Sequence, residues 1–184
     1  MDPLEPKLPP SPWVKRFAPL SRAGGDGLDF ACGRGRHARW LAGLGMSVVA
    51  VDRDAAALAG LSDVAGVRTL EADLEHGPWP LAAASFELIV VTNYLYRPRL
   101  ELLLAALAPG GVLIYETFMQ GNERFGRPSN PEFLLRPGEL LDCLRDAYTI
   151  VAFEQGEVEV PKPAVMQRVC ALKGVDVPLR LPPA

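Results

Sequence analysis

Leu28-Asp29-Phe30-Ala31-Cys32-Gly33-Arg34-Gly35-Arg36-His37-Ala38 decides the fold of this chain. A short apolar run holding one carboxylate leads into two closely spaced glycines, then into a segment, Arg36 to Leu44, that reads as a helix closed by Gly45. The spacing is G-x-G-x-x-A. Between a predicted strand and a predicted helix it has a physical meaning: the glycines let backbone approach a ligand, and free N–H groups favour an anionic or electron-rich one. Asp52 ends the next apolar run, 19 residues after Gly33, where a carboxylate can accept two hydrogen bonds from vicinal ribose hydroxyls. A tight turn followed by a helix-capping Asp is the competing, purely structural explanation.

Outward from that stretch the pattern repeats. Apolar runs suited to strands occur at Leu28 to Cys32, Ser47 to Val51, Val67 to Leu70, Phe86 to Val91, Val112 to Tyr115, Tyr148 to Phe153 and Val165 to Leu172. Helical patterns fall between most of them: Arg36 to Leu44, Asp54 to Ala59 closed by Gly60, Pro98 to Leu107 ended by Pro109-Gly110-Gly111, and Gly138 to Arg145. Glu71 to Ser85 reads as loop, except around Leu81 to Ala84. The alternation predicts an α/β fold, a Rossmann-like, seven-stranded, mostly parallel sheet with helices on both faces. The last two runs have no helix between them, so the C-terminal strand is expected to be antiparallel. Ser11-Pro12 reads as an N-cap and first helical residue, with Trp13, Phe17 and Leu20 on one apolar face and Pro19 weakening the end.

Composition sets the limits. With 184 residues and 49% hydrophobic content, the chain fits one globular domain. Its 17 glycines and 18 prolines show no period of three, and the apolar fraction is too high for disorder. Six prolines lie in residues 3 to 19 and five from Pro161 onward. The division expected is a proline-rich tail and leading helix over 1–26, the domain over 27–174, and an extended tail over 175–184. No apolar stretch is long enough to span a membrane, and the N-terminus lacks the pattern of a secretory signal, so a cytoplasmic location is expected. Cys32, Cys143 and Cys170 with His37 and His76 form no disulfide framework or zinc spacing, and no metal is expected. A net charge of −3 disfavours nucleic acid as a partner.

Two nucleoside cofactors suit the glycine site, a dinucleotide and S-adenosylmethionine. Three features favour the second. Asp29 places a carboxylate in the first strand, where a dinucleotide fold prefers an apolar residue under the pyrophosphate, and a carboxylate there suits a cationic amine. The chain is also too short for the further catalytic domain that a dehydrogenase usually carries. The third is the C-terminal antiparallel hairpin. A small NAD-binding oxidoreductase and a cofactor-binding protein without turnover stay open as alternatives.

Leu28-Asp29-Phe30-Ala31-Cys32-Gly33-Arg34-Gly35-Arg36 resembles motif I of the class I S-adenosylmethionine-dependent methyltransferases, and Val48-Val49-Ala50-Val51-Asp52-Arg53 resembles their second-strand motif. Ala72-Asp73-Leu74 is similar to the segment after strand three, and Pro109-Gly110-Gly111 to the turn before strand five. Within the family, A-C-G-x-G-R-H is similar to small bacterial members of the tellurite-resistance and thiopurine type. The resemblance implies that Asp29 faces the methionine amine and that Ala31, Cys32, Gly33 and Gly35 line methionine and ribose. It implies further that Asp52 takes the ribose hydroxyls, Arg53 flanks the adenine, and Ala72, Asp73 and Leu74 border it with Asp73 accepting from N6. Thr92 and Asn93 would lie beneath the sulfonium. An Asx-type turn is the plainer role for Asp73, and a buried spacer the plainer role for Cys32.

No catalytic residue is readable. Thr92-Asn93-Tyr94-Leu95 lacks the pattern of enzymes that methylate nucleobase amines, and methyl transfer from an activated sulfonium needs alignment more than a dedicated base. The reading is a methyltransferase acting on a small-molecule acceptor, with neither the atom methylated nor the oligomeric state specified. His37, Tyr94, Tyr96, Arg97, Glu116, Phe125 and Arg127 are the residues expected to line the acceptor pocket. Arg34, Arg36, Arg97, Arg99, Arg124, Arg127 and Arg136 follow strand ends, which suggests an anionic acceptor, or solvated surface charge. The long Thr117 to Pro137 connection is expected to act as a lid, with Phe133 beside Phe125, or to cap the sheet.

Overall fold

The structure, a computed structural model, describes residues 8–81, 85–174 and 181–182. The expected tail over 175–184 lies outside the described residues apart from 181–182, as do residues 1–7 of the leading tail and 82–84 of the stretch Leu81 to Ala84 that the sequence sets apart from the loop. Seven strands form one sheet: β1 (Asp26–Phe30), β2 (Ser47–Asp52), β3 (Val67–Glu71), β4 (Phe86–Thr92), β5 (Leu107–Phe118), β6 (Tyr148–Val158) and β7 (Ala164–Lys173). Their spatial order is β3-β2-β1-β4-β5-β7-β6, and β7 alone runs against its neighbours. The sheet class and the antiparallel C-terminal strand are as the sequence predicts.

Alternation along the central strands divides the core between two faces. Leu28, Phe30, Val49, Val51, Ile89, Val91, Leu113 and Tyr115 pack beneath α4 (Leu100–Ala105) and α5 (Glu139–Leu144). Val48, Ala50, Leu88, Val90, Val112 and Ile114 meet α1 (Pro12–Phe17), α2 (Arg36–Gly43) and α3 (Ala55–Ala59). Burial on both sides is why these strands read as nearly continuous apolar runs. The leading helix forms as expected: the Ser11 side chain accepts from Trp13 N, and the Trp13 indole donates to Val169 O on β7 at 3.3 Å.

Three of the boundaries that differ from expectation have a local reason. β1 ends at Phe30 rather than Cys32, because Ala31 turns to φ 54° and takes the chain out of the sheet. α4 starts after a single 3-10 turn at Arg97–Arg99 and ends at Ala105, since Leu107 already opens β5. β5 therefore absorbs Pro109-Gly110-Gly111, with Gly110 at φ 73° and a register shift between Phe86 and Leu88 on its partner.

The order reverses at β1, which lies between β2 and β4. In open α/β sheets ligands bind outside the carboxyl ends of the strands at such a switch point. Two non-glycine residues with positive φ stand there, Ala31 after β1 and Asn93 after β4 at 56°. That conformation costs an alanine or asparagine about 1 kcal/mol or more, and it clusters at functional sites.

Candidate active site

A cleft of about 410 Å³ opens over the carboxyl ends of β1 to β5. One wall is Ala31, Asp52, Arg53, Ala72, Asp73, Leu74 and Glu75; the other is Asn93, Tyr94, Leu95, Thr117, Phe118, Pro128 and Phe133. That volume is on the scale of one small-molecule ligand.

The glycine turn builds the near end. Gly33 has φ 53° and Gly35, which precedes α2, has φ 67°. A Cβ on Gly35 would run into the Leu61 side chain, whereas one on Gly33 would meet no atom within 4 Å, so Gly33 borders open space. Asp52 ties the turn to β2: one carboxylate oxygen accepts from Gly33 N at 2.7 Å, the other from Asp54 N at 3.0 Å. An ionised carboxylate offers about four acceptor positions, which leaves two for a ribose diol. Gly33 with its open side and Asp52 with unused acceptor capacity thus fit a nucleoside cofactor.

Asp73 makes the Asx-type turn named as its plainer role. Its Oδ1 accepts from Glu75 N at 2.8 Å and His76 N at 3.1 Å, and Oδ2 lies 3.0 Å from His76 Nδ1. These bonds, that from Glu75 N first, hold its pKa below the ordinary carboxylate value. It nevertheless stays on the cleft wall. Trp79 packs against Phe30 with Arg99 over its face, as a loop anchor does.

Several expected residues stand elsewhere. Asp29 is 1% exposed and does not line the cleft; its Oδ2 accepts from Ala38 N at 2.8 Å, because β-alternation turns it away from Phe30 and under α2. Burial raises its pKa to about 7. His37 is a correction: it is 1% exposed, its Nε2 accepts from Ser11 N at 3.1 Å, and its Nδ1 faces Asp29 at 3.9 Å. Burial lowers its pKa to about 3, so the ring is neutral and holds the leading helix rather than a substrate. Cys32 is packed in the core with its thiol toward Gly33 O, and burial pushes its pKa upward. Thr92 pairs with Glu116 across the β4–β5 ladder and does not reach the cleft wall.

Arg97 is a second correction. It forms two bonds to Glu139, at 2.6 and 2.9 Å, and donates to Glu132 O and Leu134 O. Its role is to clamp the segment before α5. Glu116 is a third, being 5% exposed and paired with Arg168 of β7 at 3.4 Å. Tyr96 lies behind the cleft beside Arg99, Leu100 and Leu103, and Phe125 and Arg127 are exposed and off the wall. Of the acceptor candidates only Tyr94 lines the cleft.

Glu75, Leu95, Thr117, Phe118 and Pro128 also line the cleft, without a motif to mark them. Thr117, Phe118 and Pro128 belong to the long connection already marked for its length, and that was their only signal. The connection is closed at its base: Met119 bridges to Leu135, and buried Asn122 accepts from Val165 N and donates to Pro128 O. Among the described residues no group of three potential metal ligands is gathered, and no helix is long and apolar enough to cross a membrane.

The fold is shared with solved structures described as S-adenosylmethionine-dependent methyltransferases. Residues 28–111, from β1 into β5, match the model of a family described as "Methyltransferase domain". The chain is similar to TehB from Haemophilus influenzae (19% identity, TM-score 0.67, 82% of this chain and 58% of TehB). It is also similar to a methyltransferase described as SAM-dependent from Methanosarcina mazei (17%, 0.69, 92% and 100%) and to coclaurine N-methyltransferase bound to N-methylheliamine and SAH (11%, 0.65, 88% and 70%). The chain thus spans little more than half of TehB, and at these identities the likeness is one of fold. No curated protein matches the sequence.

Proposed function

We propose that the chain binds S-adenosylmethionine in this cleft and transfers its methyl group to a small-molecule acceptor. The observation that carries the reading is Asp52, bonded to Gly33 N at the switch point of the sheet with acceptor positions left toward the cleft. In the proposed arrangement Asp52 holds the ribose, Arg53, Ala72, Asp73 and Leu74 border the adenine, and Ala31, Gly33 and Asn93 line the tail of the cofactor. Asp29 acts on that tail through the backbone it fixes at Ala38. The bound cofactor supplies an already activated methyl group, so the chain's task is alignment and exclusion of water.

The acceptor enters from the β4–β5 side, between Leu95, Phe118, Pro128 and Phe133. An anionic acceptor has little to meet there. Arg97 and Arg136 hold Glu139, Arg99 holds carbonyls of Leu74 and Gly77, Arg36 holds Pro9 O and Arg124 holds Glu157. Arg127, exposed in the long connection, is what supports such a reading. Apolar walls instead favour an acceptor with an uncharged body. Incubating the protein with labelled S-adenosylmethionine and fractionated small-molecule extracts tests the function. Transfer of label into a small molecule, abolished by Asp52→Ala, is expected; label transferred only to protein or RNA contradicts it.

A further inference from the structure

One short turn in the long connection is fixed at every point except its largest side chain. Asn130 Oδ1 accepts from Glu132 N at 3.1 Å, Phe133 N donates to Asn130 O at 3.0 Å, and Leu134 N donates to Pro131 O at 3.1 Å. Arg97, which follows β4, donates to Glu132 O at 2.8 Å and to Leu134 O at 2.7 Å, the carbonyls of the residues on either side of Phe133. Glu139, 5% exposed, holds that guanidinium through both of its oxygens at 2.6 and 2.9 Å. A charged clamp therefore fixes the backbone around Phe133, while the fold makes little use of its ring. Among the described residues Phe133 is the one large apolar side chain that both lines the cleft and stands exposed, at 46%, and it belongs to neither core.

A rigid backbone that presents an open aromatic ring suits recognition, because the ring offers contact area at little ordering cost. Two further flat, apolar groups share its wall. Phe118 ends β5, and the Pro128 ring is set in place by Asn122 Nδ2 donating to Pro128 O at 2.9 Å. No residue of that wall is charged; Asp52, Arg53, Asp73 and Glu75 all stand on the opposite one. We propose that Phe133 is the specificity-determining residue of the acceptor end, and that it selects a flat aromatic or heteroaromatic ring lying against its face. This rests on the cofactor reading above and gives that reading an acceptor class. Contact between aromatic rings adds about a two- to tenfold factor in affinity beyond the burial of area, and a saturated ring of the same size forgoes it.

The test uses 2-naphthol and decahydro-2-naphthol, a flat and a saturated neutral probe on the same carbon skeleton. Each is titrated by calorimetry into wild type, Phe133→Leu and Phe125→Leu saturated with S-adenosylhomocysteine. Leucine keeps an apolar side chain and removes the ring face; Phe125 is exposed in the same connection but lies off the cleft wall. Wild type should bind 2-naphthol about two- to tenfold more tightly than its saturated partner. The preference should vanish in Phe133→Leu and persist in Phe125→Leu, with S-adenosylhomocysteine binding all three proteins equally, which also shows that each is folded. No binding of 2-naphthol, or equal binding of the two probes by wild type, overturns the proposal. So does a preference that survives Phe133→Leu or is lost in Phe125→Leu, or weakened S-adenosylhomocysteine binding in Phe133→Leu, which would put the ring at the cofactor end. Failure of wild type to bind S-adenosylhomocysteine would instead remove the cofactor reading, and the acceptor class with it.

Discussion

Replacing Asp29 by Asn should change how stability depends on pH, in a direction fixed by the buried pair it forms with His37. Asp29 has a folded pKa raised from 3.8 to about 7, and His37 has one lowered from 6.5 to about 3, both by burial. From about pH 4 to about pH 6.5 the unfolded chain carries one proton on this pair, on the histidine. The folded chain also carries one, on Asp29. The two linkages cancel, so the pair imposes no slope on the wild type in that window. Removing either partner exposes the other.

In Asp29→Asn only His37 remains, and the folded state binds the smaller number of protons, so stability rises with pH by up to about 1.4 kcal/mol per unit. Asn keeps an oxygen for Ala38 N and carries no charge to desolvate. Relative to wild type the variant should gain up to about 4 kcal/mol between pH 4 and 7. His37→Asn leaves Asp29 alone, whose raised pKa contributes stability fully below its unfolded value and loses it as pH rises through about 7. That variant should lose stability relative to wild type over the same window. Urea unfolding at several pH values, with wild type subtracted, measures both slopes. A difference that stays constant from about pH 4 to about pH 7 for both variants would refute the reasoning.

Three further outcomes follow from other parts of the molecule. Asp52→Ala should weaken S-adenosylhomocysteine binding by about 100-fold or more in calorimetry, because two hydrogen bonds to a charged acceptor are lost. Gly35→Ala should destabilise by about 2–5 kcal/mol, combining positive φ with the collision against Leu61, and lower the melting temperature by about 5–15 °C. Arg97→Met should cost about 2–3 kcal/mol and speed amide exchange over residues 131–139, since among the described residues Glu139 keeps only Arg136 as a charged partner.

The sheet and the near end of the cleft were readable because their signals are local. Gly33, Gly35 and Asp52 lie within one strand-turn-helix-strand unit, and their spacing has few other uses. Asp29 stands out as a carboxylate inside an apolar run, yet what it meets depends on how α2 docks, and only the docked helix brings Ala38 N to its carboxylate. Arg97 looked like an anion reader because its partner, Glu139, is 42 residues away and nothing in the sequence links them. His37 resembled a pocket residue through its place in the glycine motif, while its actual partner, Ser11, comes from the leading segment. The acceptor side was hidden for the same reason. Phe118, Pro128 and Phe133 come together only when the long connection closes on itself through Asn122 and Leu135.

Calorimetric titration of S-adenosylhomocysteine into the wild-type protein, repeated in the presence of NADH, tests the central claim most directly. A single site with a dissociation constant in the range of about 1 μM to 1 mM, indifferent to NADH, is the result expected. No binding at about 1 mM, or displacement of the ligand by NADH, would contradict it.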